Sequence, residues 1–565
     1  MSGGTTSYTV ETVKTSPFDG QKPGTSGLRK AVTVFQQAHY TENFVQAGLW
    51  AGLGDKLKGS VLLVGGDGRF FCEEAAHLII RIAAGNGVSK IVIGKKAILS
   101  TPACSHIIRK YKLSGGFLLT ASHNPGGPDG DFGIKYNTDN GGPAPEGVTN
   151  KIYELTKTIK EYKIVSNLKV DIGQLGTSKF TVGGEPFVVE VIDNTADYVE
   201  FMKQIFDFPA IKTFLQTKRV LLNAMNGVTG PYLRKIFVEE MGLPSDSCLN
   251  CEILPDFGGK HPDPNLTYAK DLVDIMKAGQ HDFAAAFDGD GDRNMILGHR
   301  AFFVTPCDSL AVLAANLESI PYFRQNGVKG FARSMPTSEA VDKVAQRLGK
   351  DCYQTPTGWK FFGNLMDADK ISLCGEESFG TGSTHIREKD GVWAALAWLS
   401  VLASTKKTVQ DVLLDHWNIY GRNFFTRYDY ENVSSEAGEK LIAGLEAFIK
   451  NPNSKGTTLT APTGQKYKVA VADNFEYTDP IDGSVSKNQG IRILFEGGSR
   501  LIFRLSGTGS SGATIRVYVE EYVKSDNPSA YEQDAQAALG PLVAIALQVS
   551  KLRELTGRDQ PTVIT

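Results

Sequence analysis

A serine, a histidine and a turn-forming stretch stand together in the octapeptide Thr120–Gly127, Thr-Ala-Ser-His-Asn-Pro-Gly-Gly. It follows the short apolar run Gly116–Leu119, so we predict a strand that ends in an exposed loop. Ser122 lies beside His123 on a corner rich in free backbone N–H groups, which suits a hydroxyl that carries or transfers a charged group. An ordinary Asn-Pro-Gly turn is the alternative. The hydrolase nucleophile elbow is excluded, because residues other than glycine occupy both of its glycine positions.

A second loop carries three carboxylates that alternate with glycine. Asp288, Asp290 and Asp292 follow the small apolar strand Phe283–Phe287 directly. Because glycine lets the backbone fold tightly, these carboxylates can turn toward one hard cation. A calcium EF-hand is excluded, since its sixth position is arginine instead of glycine and its twelfth is histidine instead of glutamate. The pattern favours Mg²⁺, with one more oxygen from a phosphate group, over a merely acidic turn.

The segment Arg504–Gly512 contains the glycine spacing of dinucleotide-binding proteins. That fingerprint requires a following helix, whereas Ala513–Glu520 alternates like a strand, so the pattern argues against a Rossmann site. We predict instead a loop of free N–H groups and hydroxyls that binds phosphate between Arg504 and Arg516.

Two further short loops, Thr355–Lys360 and Gly375–Gly380, end predicted strands. The second holds paired carboxylates next to a serine, a combination that accepts hydrogen bonds from the hydroxyls of a sugar. Each loop alone is also consistent with a structural turn. The segment Gln21–Lys30 combines turn formers with cations, and it is either an anion-facing loop or a solvated lead-in.

The order strand, glycine turn, helix and strand occurs three times, and these elements must position the loops. The first unit runs from strand Ser60–Val64 through a helix near Glu73–Ala84, and the second from Arg219–Asn223 to a helix at Pro231–Met241. In the third, Thr337 is the predicted N-cap of a helix that ends before Gly349. The repetition predicts three similar α/β domains with mixed sheets.

The last part of the chain has a different pattern, which predicts a distinct α+β domain. Alternating strands are followed by one long helix at about Ala530–Thr556. The strands are predicted at Lys466–Val471, Gly490–Phe495, Arg500–Arg504 and Ala513–Glu520, after a helix at Glu439–Ile449. The predicted domains are residues 1–195, 196–306, 307–423 and 424–565.

The 565 residues suggest roughly three to five domains. Their 60 basic and 62 acidic residues give no field that would recruit nucleic acid or an anionic membrane. An odd number of cysteines, seven, and no signal peptide predict a cytoplasmic protein. We interpret Cys248 and Cys251 as plain thiols, with a zinc or redox site as the alternative. No segment reaches the ~20 apolar residues of a membrane span.

Four loops together resemble, in order and across essentially the whole chain, the signature loops of the α-D-phosphohexomutases. They are Thr120–Gly127, Asp288–Arg293, Gly375–Gly380 and Arg504–Gly509. The Glu-Glu-Ser-Phe sequence of the third loop, with Thr355–Lys360, resembles the phosphoglucomutase branch and most of all its parafusin-like group.

The resemblance implies four domains around a central active-site cleft. It also implies interconversion of glucose 1-phosphate and glucose 6-phosphate through phosphorylated Ser122, with glucose 1,6-bisphosphate as the activating intermediate. One Mg²⁺ per chain would be bound by Asp288, Asp290, Asp292 and the phosphorylated Ser122.

The same resemblance implies the roles of the remaining site residues. Arg29, His123 and Lys135 would lie near the transferred group, with Lys135 or His123 as the proton shuttle. The implied ligands of the sugar and of its second phosphate are Arg293, Thr357, Gly358, Glu376, Ser378, Lys389, Arg504, Ser506, Gly507, Thr508 and Arg516.

Two other functions stay open at this point. A metal-dependent sugar phosphatase would result if water reached the phosphoserine, and no sequence feature shows how dry the cleft is. A non-catalytic phosphoprotein scaffold of parafusin type would predict decay of one signature loop, whereas all four are intact. The expected partners are small sugar phosphates, with no nucleic acid and no membrane segment, and the expected state is a monomer or weak dimer.

Overall fold

The computed structural model describes residues 7–24, 26–509 and 512–565. Strands and helices alternate up to about residue 420, and antiparallel strands dominate the remainder, as the sequence pattern predicts. None of the described helices combines the length and the apolar character that crossing a bilayer requires.

The first sheet is mixed, with parallel strands at its centre and antiparallel strands toward its edges. Its central strand Val61–Gly66 is almost wholly apolar, because helices cover both of its faces. In spatial order the strands are Ser7–Tyr8, Gly176–Val182, Glu185–Ile192, Lys90–Ile98, Val61–Gly66, Gly115–Leu119, Asp131–Thr138 and Leu28–Ala31. The main helices are Tyr40–Leu53, Cys72–Gly85, Thr101–Lys110 and Glu146–Thr158.

The second sheet contains three parallel strands followed by two antiparallel ones. Its order is Cys248–Leu249, Val220–Asn223, Phe283–Phe287, Asn294–Gly298 and Phe302–Val304. Its helices are Ala196–Ile205, Phe208–Leu215, Lys270–Lys277 and Gly230–Leu233, the last of which continues as a π-helix over Arg234–Glu240. Strand Phe283–Phe287, which leads into the three aspartates, has the predicted bounds.

The third sheet has the order Cys352–Thr355, Phe331–Ser334, Leu373–Glu376 and Gly380–Ser383, and again it is mixed. Its helices are Pro306–Ala315, Pro321–Asn326, Ala340–Leu348, Trp359–Asp367, Gly391–Thr405 and Val409–Tyr420.

The predicted N-cap at Thr337 is wrong. Glu339 occupies that position, whereas the hydroxyl of Thr337 lies 2.6 Å from that of Ser334 and accepts the N–H of Glu377 at 2.9 Å. Thr337 therefore ties the start of a helix to the loop predicted to bind sugar. The predicted end of the same helix is confirmed, because Gly349 has the left-handed φ of 63° that favours glycine.

One apolar core joins the first three sheets. Helix Gly391–Thr405 is apolar on all sides, and both Trp393 and Trp398 are fully buried. Leu63 of the first sheet, Leu222 of the second and Phe331 of the third belong to the same cluster of buried side chains as this helix. The relative positions of the loops at these sheets are therefore fixed by continuous packing.

The last domain is built on an antiparallel sheet of seven strands. In spatial order they are Thr458–Thr460, Lys466–Asn474, Ile491–Phe495, Arg500–Gly509, Gly512–Val523, Arg422–Val433 and Val563–Ile564. Helices Ser435–Lys450, Ala535–Ser550 and Leu552–Thr556 pack against it.

Two sequence predictions for this domain are wrong. The predicted loop from Arg504 is strand as far as Gly509: the residues up to Ser506 pair with the next strand, and after a shift in register Gly509 pairs with Gly512. The predicted single long helix breaks at Lys551, which adopts a left-handed φ of 52°. The break turns the chain so that Leu552 is buried against the sheet domain's core.

Candidate active site

The four predicted loops converge on one cleft of about 390 Å³. The serine loop follows the carboxyl end of Gly115–Leu119 in the first sheet, and the aspartate loop follows that of Phe283–Phe287 in the second. The third loop follows the end of Leu373–Glu376 in the third sheet. This is the edge at which open α/β sheets bind ligands. The predicted residues that line the cleft are Arg29, His123, Lys135, Asp290, Asp292, Arg293, Thr357, Gly358, Glu376, Ser378, Lys389, Arg504 and Arg516.

Ser122 is buried, with 2% of its surface exposed, so the predicted exposed corner is wrong. The cause is the aspartate loop, which packs over it: a Cβ added to Gly289 would lie 2.5 Å from the carbonyl oxygen of Ser122. The hydroxyl of Ser122 donates to Asp288 Oδ2 at 2.9 Å. Its backbone has a left-handed φ of 54° and donates from N–H to the hydroxyl of Thr120 at 2.8 Å. Hydrogen bonds thus hold both the hydroxyl and the backbone N–H of Ser122, the candidate nucleophile.

A buried ion pair beneath the serine loop was missed by the sequence analysis. Asp67 accepts a hydrogen bond from the hydroxyl of Thr120 at 2.6 Å and forms an ion pair with Arg69 at 2.8 Å. Arg69 donates to the carbonyl of Ser122 at 2.8 Å and stacks over Phe257, 5.0 Å from the ring centre. The only sequence signal for this ion pair is the polar turn that contains Asp67 and Arg69, directly after strand Val61–Gly66. The sequence pattern identified that segment only as a turn.

The three aspartates form a buried cluster whose carboxylate oxygens can lie within 4.8 Å of one another. Burial, followed by the charges of the other two aspartates, raises the pKa of Asp288 well above its usual value. Burial and the charge of Asp292 likewise raise the pKa of Asp290. Atoms Oδ1 of Asp290 and of Asp292 are buried and lack a hydrogen-bond partner in the described residues. Unpartnered, mutually repelling oxygens are a donor set that fits a hard divalent cation.

Two neighbours orient these carboxylates. Thr101 donates its hydroxyl to Asp290 Oδ2 at 2.6 Å, and Lys389 lies 3.4 Å from Asp292 Oδ2. Burial alone would raise the pKa of Asp292, but Lys389 and Arg293 lower it below the usual value. Thr101 was missed because it is an ordinary first residue of a helix in the sequence.

The groups predicted near the transferred phosphate differ in charge. Burial, and then the cations Arg293 and Arg29, lowers the pKa of His123 well below its usual value, so its ring is neutral. Its buried Nδ1 has no hydrogen-bond partner among the described residues. Lys135 forms an ion pair with the buried Glu388, which also accepts the side-chain amide of Asn137 at 3.0 Å. Glu388 was missed by the sequence analysis.

The two loops predicted to bind sugar contact each other. Glu376 is 5% exposed and accepts the N–H of Gly358 at 3.1 Å. Burial raises the pKa of Glu376, although the nearby Lys389 lowers it. The buried hydroxyl oxygen of Thr357 has no hydrogen-bond partner in the described residues.

The last domain contributes cations from two adjacent strands. Arg504 donates to the hydroxyl of Tyr518 at 3.2 Å, and Arg516 lies directly opposite Arg504 in the strand pairing. Ser506 is in the same strand but does not line the cleft. The prediction for Gly507 and for the side chain of Thr508 lies outside what the structure describes. Further acidic and basic cleft residues, among them Asp263, Arg427 and Asp429, were missed because none of them belongs to a signature loop.

Family models cover most of the chain. Those described as phosphoglucomutase/phosphomannomutase, alpha/beta/alpha domains I, II and III match residues 20–163, 196–300 and 306–420. One described as phosphoglucomutase-1, C-terminal domain, matches residues 422–562. The chain therefore belongs to the phosphohexomutase superfamily.

Similar proteins identify the branch. Phosphoglucomutase 1 of Drosophila melanogaster is 58% identical over 565 residues, which span 99% of this chain and 100% of that protein. Phosphoglucomutase-1 of Homo sapiens is 58% identical over 98% of this chain and 100% of its own length. The open form of pp63/parafusin (phosphoglucomutase) from Paramecium has a TM-score of 0.90 at 46% identity and covers 99% of this chain and 100% of its own. The chain is an enzyme with phosphoglucomutase activity.

Proposed function

We propose that Ser122 carries the phosphoryl group that this mutase transfers between the two ends of a glucose phosphate. The observation that supports the proposal is the contact of its hydroxyl with Asp288, inside the buried aspartate cluster. When Ser122 takes the phosphoryl group of the bisphosphate, its oxygen, oriented by Asp288, bonds to phosphorus, the bond between phosphorus and the sugar oxygen breaks, and the hydroxyl proton ends on that sugar oxygen. In the opposite step a sugar hydroxyl attacks the phosphorus of phosphorylated Ser122, the bond between phosphorus and Ser122 breaks, and the proton of the sugar hydroxyl ends on the oxygen of Ser122.

We further propose that Asp288, Asp290 and Asp292 bind one Mg²⁺ together with a phosphoserine oxygen. When bound, Mg²⁺ neutralises the negative charge on the transferred phosphoryl group. The unpartnered oxygens of Asp290 and Asp292 support this assignment. Thr101 fixes the orientation of one carboxylate toward the site.

The cleft residues position the sugar and move its proton. Glu376 and Ser378 would accept hydrogen bonds from sugar hydroxyls, in a cleft where Lys389 and Arg293 offset the negative charge of Glu376. His123 can accept the proton of the attacking hydroxyl, and Lys135, which is paired with Glu388, can donate one. These two side chains are the candidates for the proton shuttle.

The enzyme is proposed to hold glucose 1,6-bisphosphate as its intermediate, with Arg504 and Arg516, which line the cleft, on the phosphate that is not transferred. Relatives named cytoplasmic, from Arabidopsis thaliana and Pisum sativum, and seven free thiols support a cytoplasmic location. We also propose a monomer or weak dimer, and domain boundaries near residues 195, 306 and 423. The ends of the family matches support those boundaries.

Turnover of glucose 1-phosphate should yield glucose 6-phosphate with no matching release of inorganic phosphate. The expected result follows because Ser122 is buried, so that bulk water has little access to a phosphoserine there. A coupled assay for glucose 6-phosphate beside an assay for free phosphate measures both products. Release of free phosphate in place of glucose 6-phosphate would identify a phosphatase and contradict the transfer step.

Arg504→Ala should lower kcat/KM about ten- to a hundred-fold, since a charge-assisted contact with phosphate contributes about 1.5–3 kcal/mol. Loss of this contact should also let glucose 1,6-bisphosphate escape during turnover, because the intermediate must be held while it reorients. Arg492→Ala is the matched control: it lies in the same sheet but outside the cleft, paired with Asp473. Normal kinetics of Arg504→Ala without leakage of the bisphosphate would mean that this strand has another task.

A further inference from the structure

A short strand at the edge of the last sheet reaches the active-site cleft. Val563–Ile564 pairs antiparallel with the outer part of Arg422–Val433, with Val563 opposite Asp429. Val563 is also one of the residues that line the cleft. No signature loop includes this segment.

Backbone hydrogen bonds fix the segment along its whole length. Thr565 donates to the carbonyl of Arg427 at 3.0 Å and accepts the N–H of Arg427 at 2.8 Å. Thr562 donates to the carbonyl of Asp429 at 2.7 Å, and its hydroxyl accepts the N–H of Glu431 at 3.0 Å. The segment Thr562–Thr565 is therefore hydrogen-bonded to three alternate residues of the neighbouring strand, Arg427, Asp429 and Glu431.

Those three residues face the cleft. Successive side chains of a strand point to opposite faces, so Arg427, Asp429 and Glu431 share one face, and all three line the cleft. Val563 shares that face because it lies opposite Asp429, whereas Ile564 is 44% exposed on the other side.

The same face links the two parts of the proposed sugar-phosphate site. Arg427 lies 2.9 Å from Asp429 and 3.5 Å from Glu377, beside the proposed sugar ligands. Asp429 also lies 3.7 Å from Arg516, a proposed ligand of the distal phosphate. A shift of this strand would move both sets of contacts together.

We propose that Thr562–Thr565 is a strap that holds the cleft-facing strand in position, and that Val563 is a positioning residue for the bound hexose phosphate. Without the strap, Arg422–Val433 would be the unpaired edge of the sheet, and edge strands open locally with little free energy. The strap acts on the ligand through Arg427 and Asp429. This inference rests on the proposed phosphate role of the last domain.

Deletion of residues 563–565 should raise the KM for glucose 1-phosphate about tenfold, leave kcat within about threefold, and increase release of glucose 1,6-bisphosphate. Thermal melting should stay cooperative, since the segment contributes little to the apolar core. Ile564→Thr is the matched control, because it keeps the strand and changes only the outward side chain; it should behave as the wild type. Unchanged KM and unchanged bisphosphate retention in the deletion variant would contradict the proposed role of Thr562–Thr565.

If the deletion variant fails to fold, Val563→Pro provides the second test, since proline removes one N–H and disrupts pairing without shortening the chain. The same rise in KM is expected, and wild-type kinetics would again overturn the strap. Arg504→Ala measured beside it separates the two proposals. A leaky Arg504→Ala with a normal Val563→Pro refutes only the strap, whereas a normal Arg504→Ala refutes the proposed phosphate site.

Discussion

Ser122→Ala should lower mutase turnover by at least ~10³-fold, because no other hydroxyl can take over a covalent step at that position. The folded protein should remain, although Asp288 loses the hydroxyl that it now binds at 2.9 Å. Loss of one such hydrogen bond costs about 1–3 kcal/mol when its buried partner is left unsatisfied. Activity and thermal melting should therefore respond very differently to this one substitution.

Ser400→Ala provides the control for Ser122→Ala. Ser400 is another buried serine, but its hydroxyl donates to the carbonyl of Leu396 within a helix. Its removal should leave turnover unchanged and stability nearly so, because this hydroxyl bonds only back into its own helix turn and alanine favours helix. Steady-state assays of both variants, purified free of host mutase, measure the difference. Retention of more than a few per cent of wild-type turnover by Ser122→Ala would remove the serine from the proposed role.

Asp290→Asn should lower activity at least ~100-fold, since one charged ligand of the proposed cation is lost. The same substitution should stabilise the metal-free protein, because it removes one of three buried carboxylates that repel each other. The pKa values of Asp288 and Asp290 are raised in the folded protein, so the stability of the metal-free wild type falls as the pH rises through them. Asparagine retains an oxygen for Thr101 and does not ionise.

Thermal melts with and without Mg²⁺ test this prediction independently of activity. The wild type should melt at a higher temperature when Mg²⁺ is added, because a ligand that binds only the folded state stabilises it. Asp290→Asn should lose most of that increment, while Asp351→Asn, at an exposed position, should keep it. An increment of wild-type size in Asp290→Asn would mean that the cation binds elsewhere.

The sequence predicted the loops better than it predicted their surroundings. Glycine and aspartate patterns after apolar strands are local signals, and the strand Phe283–Phe287 and the loops after it follow from them. The burial of Ser122 could not be predicted, because the group that covers it is 166 residues away in the chain. The ion pair Asp67–Arg69 likewise acquires its role only when the serine loop folds over it.

The last domain shows the same limit. Arg427 and Asp429 occur in a strand that looks like any other amphipathic strand, and their place in the cleft depends on how the sheet meets the third domain. The strand Val563–Ile564 is too short to carry a periodic pattern. The break at Lys551 was missed because apolar residues continue beyond it, and only the left-handed backbone reveals the turn.

Peptide mapping of the phosphorylated enzyme tests the central claim most directly. The protein is incubated with glucose 1,6-bisphosphate, freed of ligand, digested and analysed by mass spectrometry, before and after a brief single-turnover reaction with glucose 1-phosphate. We predict stoichiometric phosphate on the peptide that contains Ser122, and its loss to the sugar within one turnover. Phosphate found on a different residue, or phosphate on Ser122 that remains through many turnovers, would contradict the proposed transfer.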